Sequence, residues 1–293
     1  MPSVTTTPHR LGRLGETLAM VRFSHTLFAM PFALTGMLLA AKGLPRFEVW
    51  GWILVAMVAA RMSAMTFNRL IDRHLDAGNP RTANRSLPAG RLTPLYASGV
   101  LAMSVALLLL AAWRLNPLAL KLAPLALVII CGYSLTKRFT SLSHLVLGLS
   151  LAGAPLGAWV AVRGDVRLEP LVLATAVLFW TAGFDIIYAL QDEQFDRSAG
   201  LHSLPVSLGP DGALMVARLF HLLTIILLLA LGRVATLGWF YTAAVMGSAM
   251  LLIMEHWLIS AADLSRMQMA FFRLNVAMGL IVLAGTGVDL LWA

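Results

Sequence analysis

The feature that most constrains this chain is its run of long apolar stretches. A helix needs about 20 mostly apolar residues to cross a bilayer, and nine segments qualify: 19 to 41, 49 to 72, 95 to 113, 118 to 136, 144 to 162, 170 to 192, 213 to 231, 236 to 258 and 271 to 292. Only RLNP separates the third from the fourth. With 59% hydrophobic and 12% charged residues, the chain lies outside soluble-domain composition. The expectation is an all-α, polytopic membrane protein of about nine transmembrane helices. Residues 1–18 form a cytosolic amino-terminal tail and 19–293 a single transmembrane domain. Arg22 and His25 interrupt the first run, unlike the short apolar core of a cleaved signal peptide.

A net charge of +8 in such a chain marks cytosolic loops rather than nucleic-acid binding. With the amino terminus inside, fourteen Lys and Arg fall on the cytosolic side and seven opposite, with Arg61 inside a span. Six of the eight tryptophans then lie near the outer interface, which suits their amphipathic rings. The carboxyl terminus is expected outside. The single cysteine, Cys131, excludes a disulfide framework and a cysteine-based metal site. No Gly-rich phosphate loop, HExxH or serine nucleophile elbow is present, and no protein partner is called for.

The second and sixth spans run inward on this topology, and each ends in a polar ladder. Asn68, Asp72 and Asp76 in NRLIDRHLD, and Tyr188, Asp192 and Asp196 in DIIYALQDEQFD, recur every four residues, so a continuous helix would place each set on one face. Ser-Leu-Pro follows both, at 86–88 and 203–205, giving the halves the look of a degenerate repeat. Ionisable groups at membrane depth cost at least about 2.5 kcal/mol each on insertion scales and are functional candidates by default. Carboxylate oxygens suit Mg²⁺, which commonly bridges protein carboxylates to substrate phosphates. Asp72, Asp76, Asp192 and Asp196 are therefore expected to hold Mg²⁺ against a diphosphate. Arg73, Arg81, Arg85, Lys137 and Arg138 lie on the same side to meet its charge.

The plainer alternative is a pair of solvated helix ends with ordinary basic loops; two matching ladders on one side weigh against it. Arg61 lies two turns before Asn68 on the same face, which favours a polar cavity. His25, His74, His144 and His202 have no metal-like helical spacing and read as structural or loop residues. Tyr188 and the phenylalanines either pack or form an aromatic wall able to stabilise a carbocation. Two rivals of another class are a secondary transporter, to which repeats and intramembrane charge also belong, and a structural subunit. The transporter is disfavoured because the ladders end their spans rather than sitting midway.

RMSAMTFNRLIDRHLD, NPRTANRSLPAGRLT, YSLTKRFTSLSHLVLG and YALQDEQFD together resemble the UbiA superfamily of intramembrane prenyltransferases, over nearly the whole chain. The resemblance implies a UbiA-like helical bundle open sideways to lipid, Mg²⁺ dependence, and transfer of a polyprenyl group from a polyprenyl diphosphate to an aromatic acid acceptor. By position it implies that Asp72, Asp76, Asp192 and Asp196 bind metal and diphosphate and carry catalysis, that Arg73, Lys137 and Arg138 meet the phosphates, and that Arg22, Arg61 and Asn68 line the acceptor cavity. Asp185 and Tyr188 join the substrate-binding set.

Two departures from the superfamily pattern bear on this. Arg69 stands where the first motif usually has Asp; on a helix it points about 100° from the Asn68 face, which leaves the metal site intact. After Arg22 the chain reads FSHTLFAMPFALTG rather than Asp-Lys-Pro. That change, with NRLIDR, NPRTANR, GFDIIYALQD and GLHSLP, is similar to the branch assigned to the futalosine route of menaquinone synthesis. The favoured acceptor is then 1,4-dihydroxy-6-naphthoate, with 4-hydroxybenzoate, of ubiquinone synthesis, as the alternative. The chemistry expected is ionisation: the leaving diphosphate is stabilised, an allylic cation forms in a dry pocket, and the electron-rich ring attacks it.

Overall fold

The structure is a computed structural model describing residues 12–21 and 26–292. Among the described residues twelve α-helices follow one another: α1 (Arg13–Met20), α2 (Thr26–Ala41), α3 (Phe47–Ile71), α4 (Arg73–Gly78), α5 (Pro94–Leu115), α6 (Pro117–Thr136), α7 (Ser143–Arg163), α8 (Leu168–Ala189), α9 (Glu193–Ser198), α10 (Leu204–Val234), α11 (Trp239–Leu258) and α12 (Asn275–Trp292). A 3-10 turn at Leu190–Asp192 joins α8 to α9, and a π-helical turn at Met269–Leu274 leads into α12. Among the described residues, the second to ninth apolar segments lie mostly on helix. Among the described residues seven helices are long and apolar enough to cross a membrane. The first and eighth segments are not among the seven: α1 ends at Met20 and α2 has 16 residues, while α11, 20 residues long, carries Glu255 and His256 near its end and falls short in apolarity.

Local chemistry sets the boundaries. Thr93, Asn116 and Ser203 cap α5, α6 and α10, each accepting a hydrogen bond from a first-turn amide, and proline occupies the first turn of all three helices. An oxygen-bearing cap followed by proline suits a helix start, where proline's missing N–H is no loss. Asn116 settles the RLNP junction. It is fully extended, ends α5 and starts α6, and its Nδ2 donates to the Val160 carbonyl at 2.7 Å, tying the turn to α7. Within α10, Gly209 takes φ 71° and, with Pro210, breaks the helix one turn in.

Two groups of helices pack side by side. α2, α7, α8, α10, α11 and α12 close a ring, each touching the next, while α3, α5 and α6 form a triangle joined to it through α7. Phe28, Phe32, Trp180, Phe184, Tyr241, Met278 and Val282 fill the ring's core. Lipid supplies no hydrophobic drive between helices, so close backbone approach and interhelical hydrogen bonds carry the packing. Gly36 and Gly148 illustrate the first: a Cβ there would collide with the carbonyls of Pro155 and Leu178, so only glycine lets α2 and α8 lie this close to α7. Asn275 illustrates the second. Its Oδ1 accepts from Trp180 Nε1 at 2.6 Å, and its Nδ2 donates to Glu255 at 2.9 Å and to the Ala270 and Phe271 carbonyls of the π-helical turn. Such bonds contribute about 0.6–2 kcal/mol each in a bilayer.

Candidate active site

Both ladders stop being continuous helix at their middle carboxylate. α3 ends at Ile71 and Asp72 takes φ −92°, ψ 4°; α8 gives way to the 3-10 turn and Asp192 takes φ −104°, ψ 0°. These nearly matching dihedrals lie in the sparsely populated bridge region where many active-site residues are found. The expected straight stripes are thus each bent at the second rung, in the same way, so the two halves repeat in backbone as well as in spacing. The Ser-Leu-Pro repeat is not carried through: Ser203 caps α10, whereas Ser86 sits in a loop and donates to Glu16.

The two bends face one cavity of about 290 Å³. Asn68, Asp72 and Asp76 line it from one side, Asp185, Tyr188, Asp192 and Asp196 from the other, with Arg61, Lys137 and Arg138 between. Every ladder carboxylate meets a cation. Arg138 donates to Asp72 at 3.0 Å and Asn68 Nδ2 to the same carboxylate at 2.8 Å. Arg85 bonds both oxygens of Asp76, at 2.7 and 2.8 Å. Arg81 grips both oxygens of Asp192 and donates to the Tyr188 hydroxyl at 2.9 Å, its guanidinium 5.4 Å from that ring's centre. Lys137 donates to Asp196 at 3.2 Å. Burial pushes the Asp72 carboxyl above its ordinary range despite Arg138, and although burial alone would lower Lys137, the carboxylates of Asp196, Asp185 and Asp192 raise it.

His144, fully buried, orients Asp185. Its Nε2 accepts from the Leu204 amide at 3.3 Å, which leaves Nδ1 to donate to Asp185 at 2.7 Å. On the membrane-ward side Phe184, Phe271, Leu147 and Leu151 complete the lining, with Phe271 4.3 Å from the Tyr188 ring. The aromatic wall is present.

Three expectations change. Arg73 is exposed, bonds the Leu70 carbonyl and does not line the cavity. Arg69 does line it: from its place on α3 the long side chain reaches Asn68 Oδ1 at 3.0 Å and comes within 3.8 Å of Asp76. Arg81 and Arg85, read from sequence only as charges on the correct side, make the closest contacts to the ladders. Arg22 and His25 lie outside the described residues.

Hard carboxylate oxygens on both walls are the donors Mg²⁺ takes. Among the described residues no three His, Cys, Asp or Glu converge as a ready-made ligand cage. That pattern fits a cation bound through one or two carboxylates that completes its shell with water and substrate oxygens, the usual habit of Mg²⁺.

The chain is similar to known proteins over most of its length. A 4-hydroxybenzoate octaprenyltransferase of Tolumonas auensis is 31% identical over 260 residues, 89% of this chain and 90% of that one. A solved UbiA homologue from Aeropyrum pernix K1 has a TM-score of 0.83 at 36% identity, covering 91% of this chain and 98% of its own. A second, from Archaeoglobus fulgidus and bound to GPP and Mg²⁺, shares the fold with a TM-score of 0.73 at 19% identity, covering 94% and 99%. The model of the UbiA prenyltransferase family matches residues 29–277. This integral membrane chain, with its paired acidic bends opening on one cavity, belongs to the UbiA prenyltransferase family.

Proposed function

We propose that this prenyltransferase moves a polyprenyl group from its diphosphate to an aromatic acid in quinone biosynthesis. Mg²⁺ would be held by Asp72 and Asp76 on one wall and Asp192 and Asp196 on the other. The observation that carries this reading is the meeting of the two ladders at one cavity with a cation on every carboxylate. Bound there, Mg²⁺ supplies Lewis-acid neutralisation of the diphosphate. The A. fulgidus homologue bound to GPP and Mg²⁺ supports the pairing of metal and prenyl diphosphate.

The chain's own groups do the rest. Arg81, Arg85, Lys137 and Arg138 are placed to exchange carboxylate for phosphate oxygen and to meet charge as it builds on the leaving group. Tyr188, Phe184 and Phe271 line the cavity, where aromatic rings would stabilise an allylic cation. Arg61 and Asn68 line the acceptor end, where a guanidinium would pair the acceptor carboxylate and set which ring carbon faces the cation. At about 290 Å³ the cavity is small beside ligand sites of roughly 300–1,000 Å³. It suits the reacting heads, with a long tail lying along the apolar side. The Lys and Arg distribution supports a cytosolic site with the amino terminus inside and the carboxyl terminus outside.

The order of acceptors is revised. The matching T. auensis relative is named for 4-hydroxybenzoate, which supports that acceptor ahead of 1,4-dihydroxy-6-naphthoate. The residues after Arg22, FSHTLFAMP, keep the naphthoate as the second reading. Family membership also sets aside the transporter. The test is to incubate the purified protein in detergent with labelled prenyl diphosphate, Mg²⁺ and a panel of hydroxybenzoates and hydroxynaphthoates. Label should enter one aromatic acid and stop when EDTA removes the metal; no transfer to any member of the panel would overturn the reading.

A further inference from the structure

Glu16 on α1 does not line the cavity, yet it is almost wholly buried, and among the described residues its side-chain hydrogen bonds go to the loop that supplies Arg81 and Arg85. Its Oε2 accepts from Ser86 Oγ at 2.6 Å and its Oε1 from Arg91 Nε at 3.0 Å. Arg91 in turn donates to the Asn84 carbonyl at 2.7 Å, closing the segment on itself. The Ser86 hydroxyl, opposed by burial and aided by Arg91, holds the Glu16 carboxyl below its ordinary range, so it stays charged. Around this bond Met20 and Val21 pack with Met65, Leu87, Leu92 and Ala97. Thr17 meets the Tyr96 hydroxyl at 3.0 Å, and Arg69 donates to the Met20 carbonyl at 3.3 Å. One peptide bond beyond Arg85, the loop is thus fastened to a helix outside the membrane bundle.

We infer that Glu16 is a positioning residue for diphosphate recognition. Through Ser86 and Arg91 it holds the loop so that Arg85 reaches Asp76 and Arg81 reaches Asp192 and Tyr188. This rests on the reading that those arginines meet the diphosphate. A loop of this length has many conformations that aim two guanidinium groups elsewhere, and fixing it in advance removes an ordering cost from substrate binding.

The test uses the full chain in detergent with geranyl diphosphate and Mg²⁺, comparing Glu16→Ala, Glu16→Gln, Arg81→Ala and the double variant Glu16→Ala/Arg81→Ala. Glu16→Ala should raise the KM for geranyl diphosphate about tenfold, leave the KM for the aromatic acceptor unchanged and speed hydrogen exchange across residues 79–92. Glu16→Gln, which keeps an acceptor for Ser86 but loses the charge facing Arg91, should fall between. In the Arg81→Ala background Glu16→Ala should add less than it does alone, because both act through one loop. If Glu16→Ala does not hold together in detergent, Ser86→Ala carries the same readouts. An unchanged geranyl diphosphate KM in Glu16→Ala beside a raised one in Arg81→Ala overturns the latch alone. An unchanged KM in Arg81→Ala overturns the site reading and the latch with it.

Discussion

The first ladder finds one of its two counter-ions within its own loop, Arg85 standing nine residues beyond Asp76, and borrows Arg138 for Asp72, whereas the second borrows both: Arg81 for Asp192 and Lys137 for Asp196. The nearest basic residue in the second loop, Arg197, bonds Glu193 instead, at 2.8 Å and in an exposed position. Two stretches that share spacing and backbone bend have therefore diverged in who neutralises them. A duplicated motif keeps the geometry that its ligand demands, while charge balance need only be met for the site as a whole. The first loop serves both ladders, which gives it more influence over the cavity than the second.

That asymmetry can be broken by substitution. The largest effect is expected from Asp72→Asn and Asp192→Asn, each lowering turnover at least about a hundredfold, with the protein still monodisperse in detergent. Equal loss from both would confirm that the rungs are equivalent, and full activity in either would discard the metal assignment. Next comes the first loop. Arg81→Ala should raise the prenyl diphosphate KM by about ten- to a hundredfold and exceed Arg85→Ala, since Arg81 serves Asp192 and Tyr188 while Asp76 retains Arg69. The reverse order in steady-state kinetics would mean that the first ladder dominates diphosphate binding. The smallest effect belongs to Arg73→Ala, where activity should be unaffected and stability should change by less than about 0.5 kcal/mol; a large KM change there would show that the exposed guanidinium swings into the cavity.

Much of this was legible in one dimension because lipid forces it to be. Apolar length marks the spans, and carboxylates at their ends stand out against that background, so Asp72, Asp76, Asp192 and Asp196 could be found by spacing alone. The bends at Asp72 and Asp192 could not. Helical periodicity continues through both, and nothing in NRLIDRHLD announces a break; Arg69 stands on the unbroken part of α3, and the reach of its side chain, not its face, brings it into the lining. Arg81 was visible as a charge, but its partner lies 111 residues away, and no local rule reaches that far. Arg73 failed for the opposite reason: it adjoins an acidic rung in sequence, and adjacency on a helix means pointing elsewhere. Glu16 escaped notice because it stands in a segment read as tail.

The bends have a mechanical meaning as well. A carboxylate mounted mid-helix carries its backbone along only if the whole span slides, and α8, which bears the second ladder, is wedged against α7 at Gly148, where not even a methyl group would fit. On the proposed reading, Asp72 and Asp192, placed where regular helix is interrupted, would follow the diphosphate through small rotations of one peptide unit while the rods behind them stay still. Grip on the head and accommodation of the greasy tail would then fall to different parts of the scaffold, one at the helix interruptions and the other along the rigid rods.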